Sequence, residues 1–269
     1  MLADITTDNL FYRGVPWAER PTKVDQLSYP PARIAKQGRA NRVGMSMFYC
    51  SVASTGPFPE LRVKAGDKIA LSEWRVKEGL WMHNLGYHQV ALHKIGTQNL
   101  AMRQRLILPI KNESKANAQL RGELSLAFTK DVKAENEHHY KLSIAINELL
   151  YDKADPLPKF PNGPRHDCVA ATVYPTIQLR GDADNIVIRP EFVDSSLEIK
   201  SVRYVLVEAV DEKRPLYTLR TIAFANTFSG NDIVWQDQPL PEKRNRSHFY
   251  YEKGKWFLRD DFGNIIDVH

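Results

Sequence analysis

The sequence contains few cysteines and no long apolar run. Two cysteines, Cys50 and Cys168, are too few for a disulfide framework and do not have the spacing of zinc ligands. No stretch of about 18 consecutive apolar residues occurs, so the sequence predicts no membrane span. The segment MLADITTDNLFYRG has neither the basic nor the apolar region of a signal peptide. We therefore expect a cytoplasmic protein in a reducing compartment, without disulfides and without membrane association.

Several motifs that bind nucleotides or metals are also missing. The sequence has no Walker loop, no GxGxxG, no GxSxG and no HExxH. His83, His88 and His93 are spaced by five, which matches neither one helix face nor strand alternation, so we expect no metal site. A nucleotide-binding function cannot therefore rest on a glycine-rich phosphate loop.

Length and charge set further bounds. The chain has 269 residues, which suits one large domain or one domain with insertions. Its net charge of +5 favours an anionic ligand or nucleic acid, but lysine and arginine are spread along the whole chain. The densest run, Glu242–Arg246, is better explained as a solvated loop. Direct nucleic-acid binding is therefore not expected.

The pattern of apolar residues predicts an α+β fold. Prolines and turns indicate little regular structure up to Gln37. Two amphipathic helices are predicted within Asn112–Leu150, followed by a proline-broken loop over Asp155–Asp167. A late hairpin is predicted with turns at Gly254 and Gly263. Strands are predicted on both sides of the helices, over 45–53, 68–76, from Leu80, within 168–181, and over 185–190, 202–210 and 218–228. Helices inserted between strands from both ends of the chain are typical of an α+β protein.

The segment GRANRVGMSMFYCS holds the first candidate site residues. Arg39 follows a glycine and could bind phosphate bidentately, although the pattern alone favours a surface arginine in a salt bridge. Asn41 could pin the same turn through side-chain-to-backbone hydrogen bonds. Tyr49 could stack on a planar heterocycle or be a core aromatic with its hydroxyl satisfied. Ser51, two residues on, points to the same face of a strand as Tyr49.

Two neighbouring residues have competing interpretations. Cys50 should face into packing, and a buried small hydrophobe is a better interpretation of it than a nucleophile. Glu60 follows Gly56, Pro57 and Pro59, which make its approach irregular. It is either an exposed carboxylate or an acceptor for a sugar hydroxyl that also stabilises an oxocarbenium-like transition state.

These motifs, in their order, resemble the RES domain family, which is named for its Arg, Glu and Ser residues. The resemblance begins at FYRG and continues through GRANRVG, MFYCS and PFPELRVKAGDKIALSEWRV. It resumes at ATVYPTIQLRGDADNIVIRP and spans roughly residues 11 to 210. It implies a single RES-like domain over 1–269, with a core at about 11–210 and a C-terminal extension at about 211–269. It also implies an ADP-ribosyltransferase-like mixed β core that binds NAD.

The resemblance implies roles for particular residues. Arg39 would match the NAD-binding arginine, Tyr49 the stacking tyrosine, Glu60 the acidic residue and Arg13 the first arginine of the pattern. The family serine falls on Thr176, which keeps a hydroxyl but adds a methyl group and stiffness. The implied catalytic residues are Glu60, Thr176 and Arg39. The implied NAD-binding residues are Arg13, Arg39, Tyr49, Ser51 and Asn185.

The implied activity is cleavage of NAD at the nicotinamide–ribose bond, with water or phosphate as acceptor and no metal. Such enzymes are often bacterial toxins that deplete NAD, with a small DNA-binding antitoxin as partner. Two alternatives stay open: a protein ADP-ribosyltransferase that uses the same site, and a catalytically silent interaction protein in which Thr176 marks lost activity. The helical insertion and the tail from Gly230 could carry a partner surface, cover the cleft or be elaboration.

Overall fold

A computed structural model describes residues 2–5, 7–97, 114–132, 134–152, 157, 164, 166–211, 216–236, 246–252, 255–260 and 262–268. Its strands are β1 (Leu2–Ile5), β2 (Leu10–Pro16), β3 (Phe48–Ser51), β4 (Lys68–Val76), β5 (Leu80–Asn84), β6 (Ala171–Pro175), β7 (Asp184–Ile188), β8 (Leu197–Asp211), β9 (Leu216–Ala225), β10 (Thr227–Ser229), β11 (Asp232–Val234), β12 (Arg246–Glu252), β13 (Lys255–Asp260) and β14 (Ile265–Val268). Its α-helices are α1 (Pro57–Glu60), α2 (Gln89–Lys94), α3 (Lys115–Phe128), α4 (Lys141–Asp152) and α5 (Pro190–Ser196). Short 3-10 helices cover Val24–Leu27, Ala32–Ile34 and Ala134–Tyr140. No helix in these ranges is long and apolar enough to cross a membrane.

The chain divides into two compact units. The first unit comprises Met1–Asn9, Tyr29–Tyr49 and Val76–Leu197, and the second comprises Leu10–Ser28, Cys50–Arg75 and Glu198–His269. Each unit draws on separate stretches of the sequence, so neither is a continuous segment. The segment predicted as a C-terminal extension contributes β9 to β14 to the second unit.

The first unit contains a mixed sheet. In it, β1 pairs antiparallel with β5, β5 pairs parallel with β6, and β6 pairs antiparallel with β7. All five residues of β6 are buried, which explains why this strand is apolar at nearly every position. Helices α3 and α4 contribute Phe128 and Ile146 to a core that also includes Tyr174 and Val187. This core lies directly beside the candidate site.

The second unit contains antiparallel strands. β2 pairs with β4 from Leu10 opposite Arg75 to Pro16 opposite Ile69, and Tyr12 lies opposite Ser51 of β3. β9 pairs with both β8 and β12, β12 pairs with β13, and β13 pairs with β14. The core of this unit joins Phe58 of α1 to apolar residues of β4, β8 and β9.

The structure confirms the α+β class and corrects two local predictions. Little regular structure was expected up to Gln37, but β1 and β2 lie there. The prolines misled this prediction, because Pro16 ends β2 and the other prolines of the segment follow it. The predicted irregular approach to Glu60 is in fact the helical turn α1. Pro57 and Pro59 fit it because the first N–H groups of a helix have no intrahelical acceptor.

Other sequence predictions agree with the described strands and helices. The strand over 68–76, the strand from Leu80 and the two helices before Leu150 are confirmed. β13 and β14 form the late hairpin, and Gly263 at its turn has a φ of 81°. The turn at Gly254, most of the loop over Asp155–Asp167 and all but the last residue of Glu242–Arg246 lie outside the described residues.

Candidate functional site

The turn Gly38–Asn41 carries Arg39 in the first unit. The Gly38 N–H donates to the Asn41 carbonyl oxygen at 3.1 Å, which closes the turn. The Asn41 side-chain amide lies 2.8 to 2.9 Å from the carbonyl oxygens of Lys36, Arg42 and Met45. The prediction that Asn41 pins this turn is therefore confirmed.

Helix α4 holds the same turn from a second side. Ser143 Oγ donates to the Arg39 carbonyl oxygen at 2.7 Å, and Asn147 Nδ2 donates to the Ala40 carbonyl oxygen at 3.1 Å. Ser143 and Asn147 are four residues apart, so they lie on one face of the helix. Both are fully buried, which makes these hydrogen bonds costly to lose. The carbonyl groups of Arg39 and Ala40 are thus both hydrogen-bonded to helix α4.

Tyr49 also holds the turn Gly38–Asn41 through hydrogen bonds. Its hydroxyl accepts from the Ala40 N–H at 3.0 Å and donates to Asn41 Oδ1 at 2.6 Å. Burial raises the pKa of this hydroxyl well above its ordinary value, although the Ala40 N–H and the Arg39 charge oppose the shift. The ring is half-buried against the core of the first unit. Tyr49 therefore has a structural role here, and its stacking on a ligand stays a prediction.

The guanidinium of Arg39 is buried without a carboxylate partner in the described part of the chain. Only 9% of the residue is exposed. Nη1 donates to the Phe128 carbonyl oxygen at 2.8 Å, and the guanidinium carbon lies 5.2 Å and 5.6 Å from the ring centres of Tyr140 and Tyr174. Aromatic faces attract a cation but do not neutralise it. A buried charge is stable only when it is paired or well hydrogen-bonded, so this position favours an anionic ligand.

Thr176 and Asn185 lie near the end of the sheet that carries Tyr174. Tyr174 of β6 is directly opposite Asn185 of β7, so the two side chains share one face. Thr176 follows the end of β6, and its backbone bonds to Ala183 and Gly181. Thr176 is fully buried, and its Oγ1 has no hydrogen-bond partner among the described residues. A buried hydroxyl in this state costs free energy, which a ligand that hydrogen-bonds to it would recover.

A polar network next to the turn Gly38–Asn41 was not predicted from the sequence. Thr172 Oγ1 donates to Asn147 Oδ1 at 2.6 Å and lies 3.1 Å from the Tyr151 hydroxyl, which donates to the Val187 carbonyl oxygen at 3.4 Å. Burial raises the pKa of Tyr151 to about 12, although the hydrogen bonds with Thr172 and Asn147 oppose the shift. The only sequence signal was the spacing of Ser143, Asn147 and Tyr151 by four, which also fits a plain amphipathic helix.

Tyr151 should make stability fall in alkaline solution. A tyrosine in the unfolded chain ionises near pH 10, whereas folded Tyr151 keeps its proton to about pH 12. Between these values the folded state holds the extra proton, so the free energy of unfolding falls as pH rises, by up to about 1.4 kcal/mol per pH unit. The free energy of unfolding, measured in urea at pH steps from 9.5 to 12, should fall less steeply with pH in Tyr151→Phe than in the wild-type protein. Equal slopes would contradict this assignment.

Arg13 and Ser51, both in the second unit, lie on opposite faces of their strands. Tyr12 lies opposite Ser51, so Arg13 points to the other face, which it shares with Cys50. Arg13 Nε donates to the carbonyl oxygens of Leu27 and Ser28 at 3.2 and 3.1 Å. Ser51 is buried and its Oγ accepts from the Ala53 N–H at 3.3 Å. The structure therefore does not bring these two predicted NAD-binding side chains together.

Cys50 and Glu60 also have clear positions in the second unit. Burial raises the pKa of the Cys50 thiol far above its ordinary value against the opposing charge of Arg13, so the thiol stays protonated. Cys50 is thus a buried small hydrophobe, as predicted. Glu60 is the last residue of α1 and is exposed, which agrees with its interpretation as an exposed carboxylate. Its catalytic role stays a prediction.

Sequence reasoning missed the two rings beside Arg39. Tyr174 lies in the stretch TVYPT, whose resemblance drew attention to Thr176 instead. Tyr140 is at the end of a 3-10 helix, next to α4, and its spacing predicts only a helix face. The described residues contain no group of three or more His, Cys, Asp or Glu side chains that could share a metal ion. No family model matches the chain, and neither a curated protein nor a solved structure matches it.

Proposed function

We propose that the protein is a RES-like enzyme that cleaves NAD at the nicotinamide–ribose bond. The observation that carries the proposal is the guanidinium of Arg39, which is buried beside the rings of Tyr140 and Tyr174 and has no carboxylate partner among the described residues. Arginine forms bidentate hydrogen bonds with phosphate oxygens, so the pyrophosphate of NAD supplies the missing negative charge.

The reaction itself needs little acid or base chemistry. The bond from the ribose C1′ to the nicotinamide nitrogen breaks, its electron pair leaves with nicotinamide, and positive charge grows on the ribose. Water or phosphate then attacks C1′, and water loses a proton to solvent. Because nicotinamide is a fair leaving group, positioning and electrostatic stabilisation are sufficient. In this proposal Arg39 holds the pyrophosphate, while the hydroxyl of Thr176 accepts or donates one hydrogen bond to the ribose or the nicotinamide amide.

The remaining roles come from the family resemblance. Glu60 would stabilise the ribose cation, and Arg13, Tyr49, Ser51 and Asn185 would bind NAD. A cytoplasmic location, an action as a toxin and a small DNA-binding antitoxin are proposed on the same basis. Transfer of ADP-ribose to a protein, and a silent interaction protein, are the alternatives that the following experiment separates.

The test is to incubate the purified protein with NAD, with and without phosphate, and to identify the products by mass spectrometry. We expect nicotinamide together with ADP-ribose, or with its 1″-phosphate when phosphate is the acceptor. ADP-ribose that appears only on a polypeptide would support the transferase. Tight binding of NAD without any cleavage would support the silent protein. A folded protein that neither binds nor cleaves NAD would overturn the proposal.

A further inference from the structure

The two groups of the first unit on which the proposed function depends are both buried. Arg39 is 9% exposed, and Thr176 is not exposed at all. A ligand as large as NAD cannot contact a guanidinium and a hydroxyl in these positions while the surrounding segments stay where they are. Since the proposed function requires both groups to bind the ligand, one of these segments must move first.

The C-terminal end of helix α3 covers Arg39. The Phe128 carbonyl oxygen accepts from Arg39 Nη1 at 2.8 Å, so it already occupies one donor of the guanidinium. The Phe128 ring is fully buried, and its centre lies 6.1 Å from that of Tyr174, the ring that also lies beside Arg39. Phe128 thus takes up space and a hydrogen bond that a ligand of Arg39 would need.

The same end of α3 lies close to the segment that carries Thr176. A Cβ on Gly86 would lie 2.7 Å from Pro175 Cδ and 3.2 Å from Thr129 Cγ2, so these three residues are packed together. Pro175 directly precedes Thr176, and Thr129 directly follows α3. Movement of this helix end would therefore change the surroundings of both Arg39 and Thr176.

Helix α3 is attached to the first unit by a narrow buried side. Of its 14 described residues only Gly122, Ser125 and Phe128 are buried, and Phe128 is the one large side chain among them. Leu124 and Ala127 are half-buried against the same core. Glycine and serine bury little apolar surface, so the attachment depends mainly on Phe128. A segment with so little buried apolar surface opens at a lower free energy than the rest of a domain.

We infer that α3 is a lid over Arg39 and that a ligand binds when this helix moves away, an inference that rests on the proposed function for the identity of the ligand. In the open state a phosphate oxygen of the ligand accepts the hydrogen bond that the Phe128 carbonyl oxygen accepts in the closed state. Helix α4 keeps the Arg39 backbone in place meanwhile, through the hydrogen bonds of Ser143 and Asn147. The apparent affinity of the ligand is then reduced by the fraction of molecules that are open.

Thiol labelling tests the opening of α3 without any ligand. Ser125→Cys, made in a Cys168→Ser background, places a thiol on the buried side of α3 and removes the exposed native thiol. Ser196→Cys in the same background is the matched control, because Ser196 is fully buried in the same unit but on α5. We expect Ser125→Cys to be labelled at least about tenfold faster than Ser196→Cys in the folded protein. Equal labelling rates would overturn the inference.

ADP-ribose tests whether the opening controls access to Arg39. Phe128→Leu keeps the backbone carbonyl but weakens the packing of α3, so it should bind ADP-ribose about three- to tenfold more tightly than the wild-type protein does. Saturating ADP-ribose should also speed the labelling of Ser125→Cys, because it binds the open state. Leu120→Ala is the matched control, since Leu120 is 57% exposed on the same helix, and it should leave affinity and labelling unchanged.

Thermal unfolding checks that each variant is folded. A folded Phe128→Leu protein with wild-type or weaker affinity for ADP-ribose would overturn the inference, and so would slower labelling of Ser125→Cys in the presence of ADP-ribose. Fast labelling of Ser125→Cys in a protein that does not bind ADP-ribose would contradict the proposed function while confirming that α3 opens.

Discussion

Replacement of Arg39 by glutamine should lower kcat/KM for NAD cleavage by about 10- to 100-fold, the loss expected when charge-assisted hydrogen bonds of about 1.5–3 kcal/mol to the pyrophosphate are removed. Arg39 is buried, its backbone is clamped by Ser143 and Asn147, and its charge has no carboxylate partner in the described part of the chain. Glutamine keeps much of the packing but cannot bind a phosphate bidentately. The loss should appear in kcat/KM, measured from nicotinamide release.

Arg42→Gln provides the matched control for this prediction. Arg42 is three residues away and forms a bidentate pair with Glu148, but its side chain is 65% exposed. An exposed ion pair contributes little to stability, so activity should stay within about twofold of wild type. Equal losses in Arg39→Gln and Arg42→Gln would mean that the whole turn had been disturbed. An active Arg39→Gln protein would remove the basis of the proposed function.

Replacement of Gly38 by alanine should destabilise the protein and abolish cleavage of NAD together. A Cβ at this position would lie 2.5 Å from the Tyr49 hydroxyl oxygen and 2.7 Å from Asn41 Oδ1. Both atoms take part in the Tyr49–Asn41 hydrogen bond, which holds the turn that carries Arg39. The new methyl group therefore breaks this hydrogen bond or moves the turn. We expect the free energy of unfolding to fall by about 1–3 kcal/mol, which is the usual cost of overpacking. Urea unfolding and nicotinamide release, measured on the same preparation, test both parts.

A double-mutant cycle with Tyr49→Phe separates this clash from a general loss of stability. Phenylalanine removes the oxygen nearest to the added methyl group, although the ring carbon next to it and Asn41 Oδ1 stay close. The cost of Gly38→Ala should therefore be smaller in the Tyr49→Phe background than in wild type. Strictly additive free energies would show that the Tyr49 hydroxyl is not the obstacle.

Local sequence patterns predicted the strands and helices better than they predicted the environment of each site residue. β4 and the two helices of the first unit follow from periodicity alone, because one face of each is apolar. The position of Arg39 beside Tyr140 and Tyr174 could not be predicted in this way. It depends on packing among segments that are separated by about a hundred residues, and only the three-dimensional fold brings them together.

The role of Tyr49 shows the same limit. From the sequence, the apolar run around it favours a core tyrosine with a satisfied hydroxyl over a ring that stacks on a ligand, but it does not say what the hydroxyl binds. The structure identifies the two hydrogen bonds of the hydroxyl, and these explain why a glycine precedes Arg39. Thr172 was overlooked because a single buried hydroxyl gives no periodic signal, and Asn147 because its spacing by four from Ser143 and Tyr151 also fits a plain amphipathic helix.

The role of Arg39 in binding the pyrophosphate is tested most directly by the affinity of ADP-ribose for the wild-type protein and for Arg39→Gln, measured by calorimetry. ADP-ribose carries the pyrophosphate but has no nicotinamide to release, so binding is measured without turnover. We expect the wild-type protein to bind ADP-ribose, folded Arg39→Gln to bind it with an affinity at least about tenfold lower, and Arg42→Gln to bind it with unchanged affinity. Equal affinities of wild type and Arg39→Gln, or no binding by the folded wild-type protein, would contradict this role of Arg39.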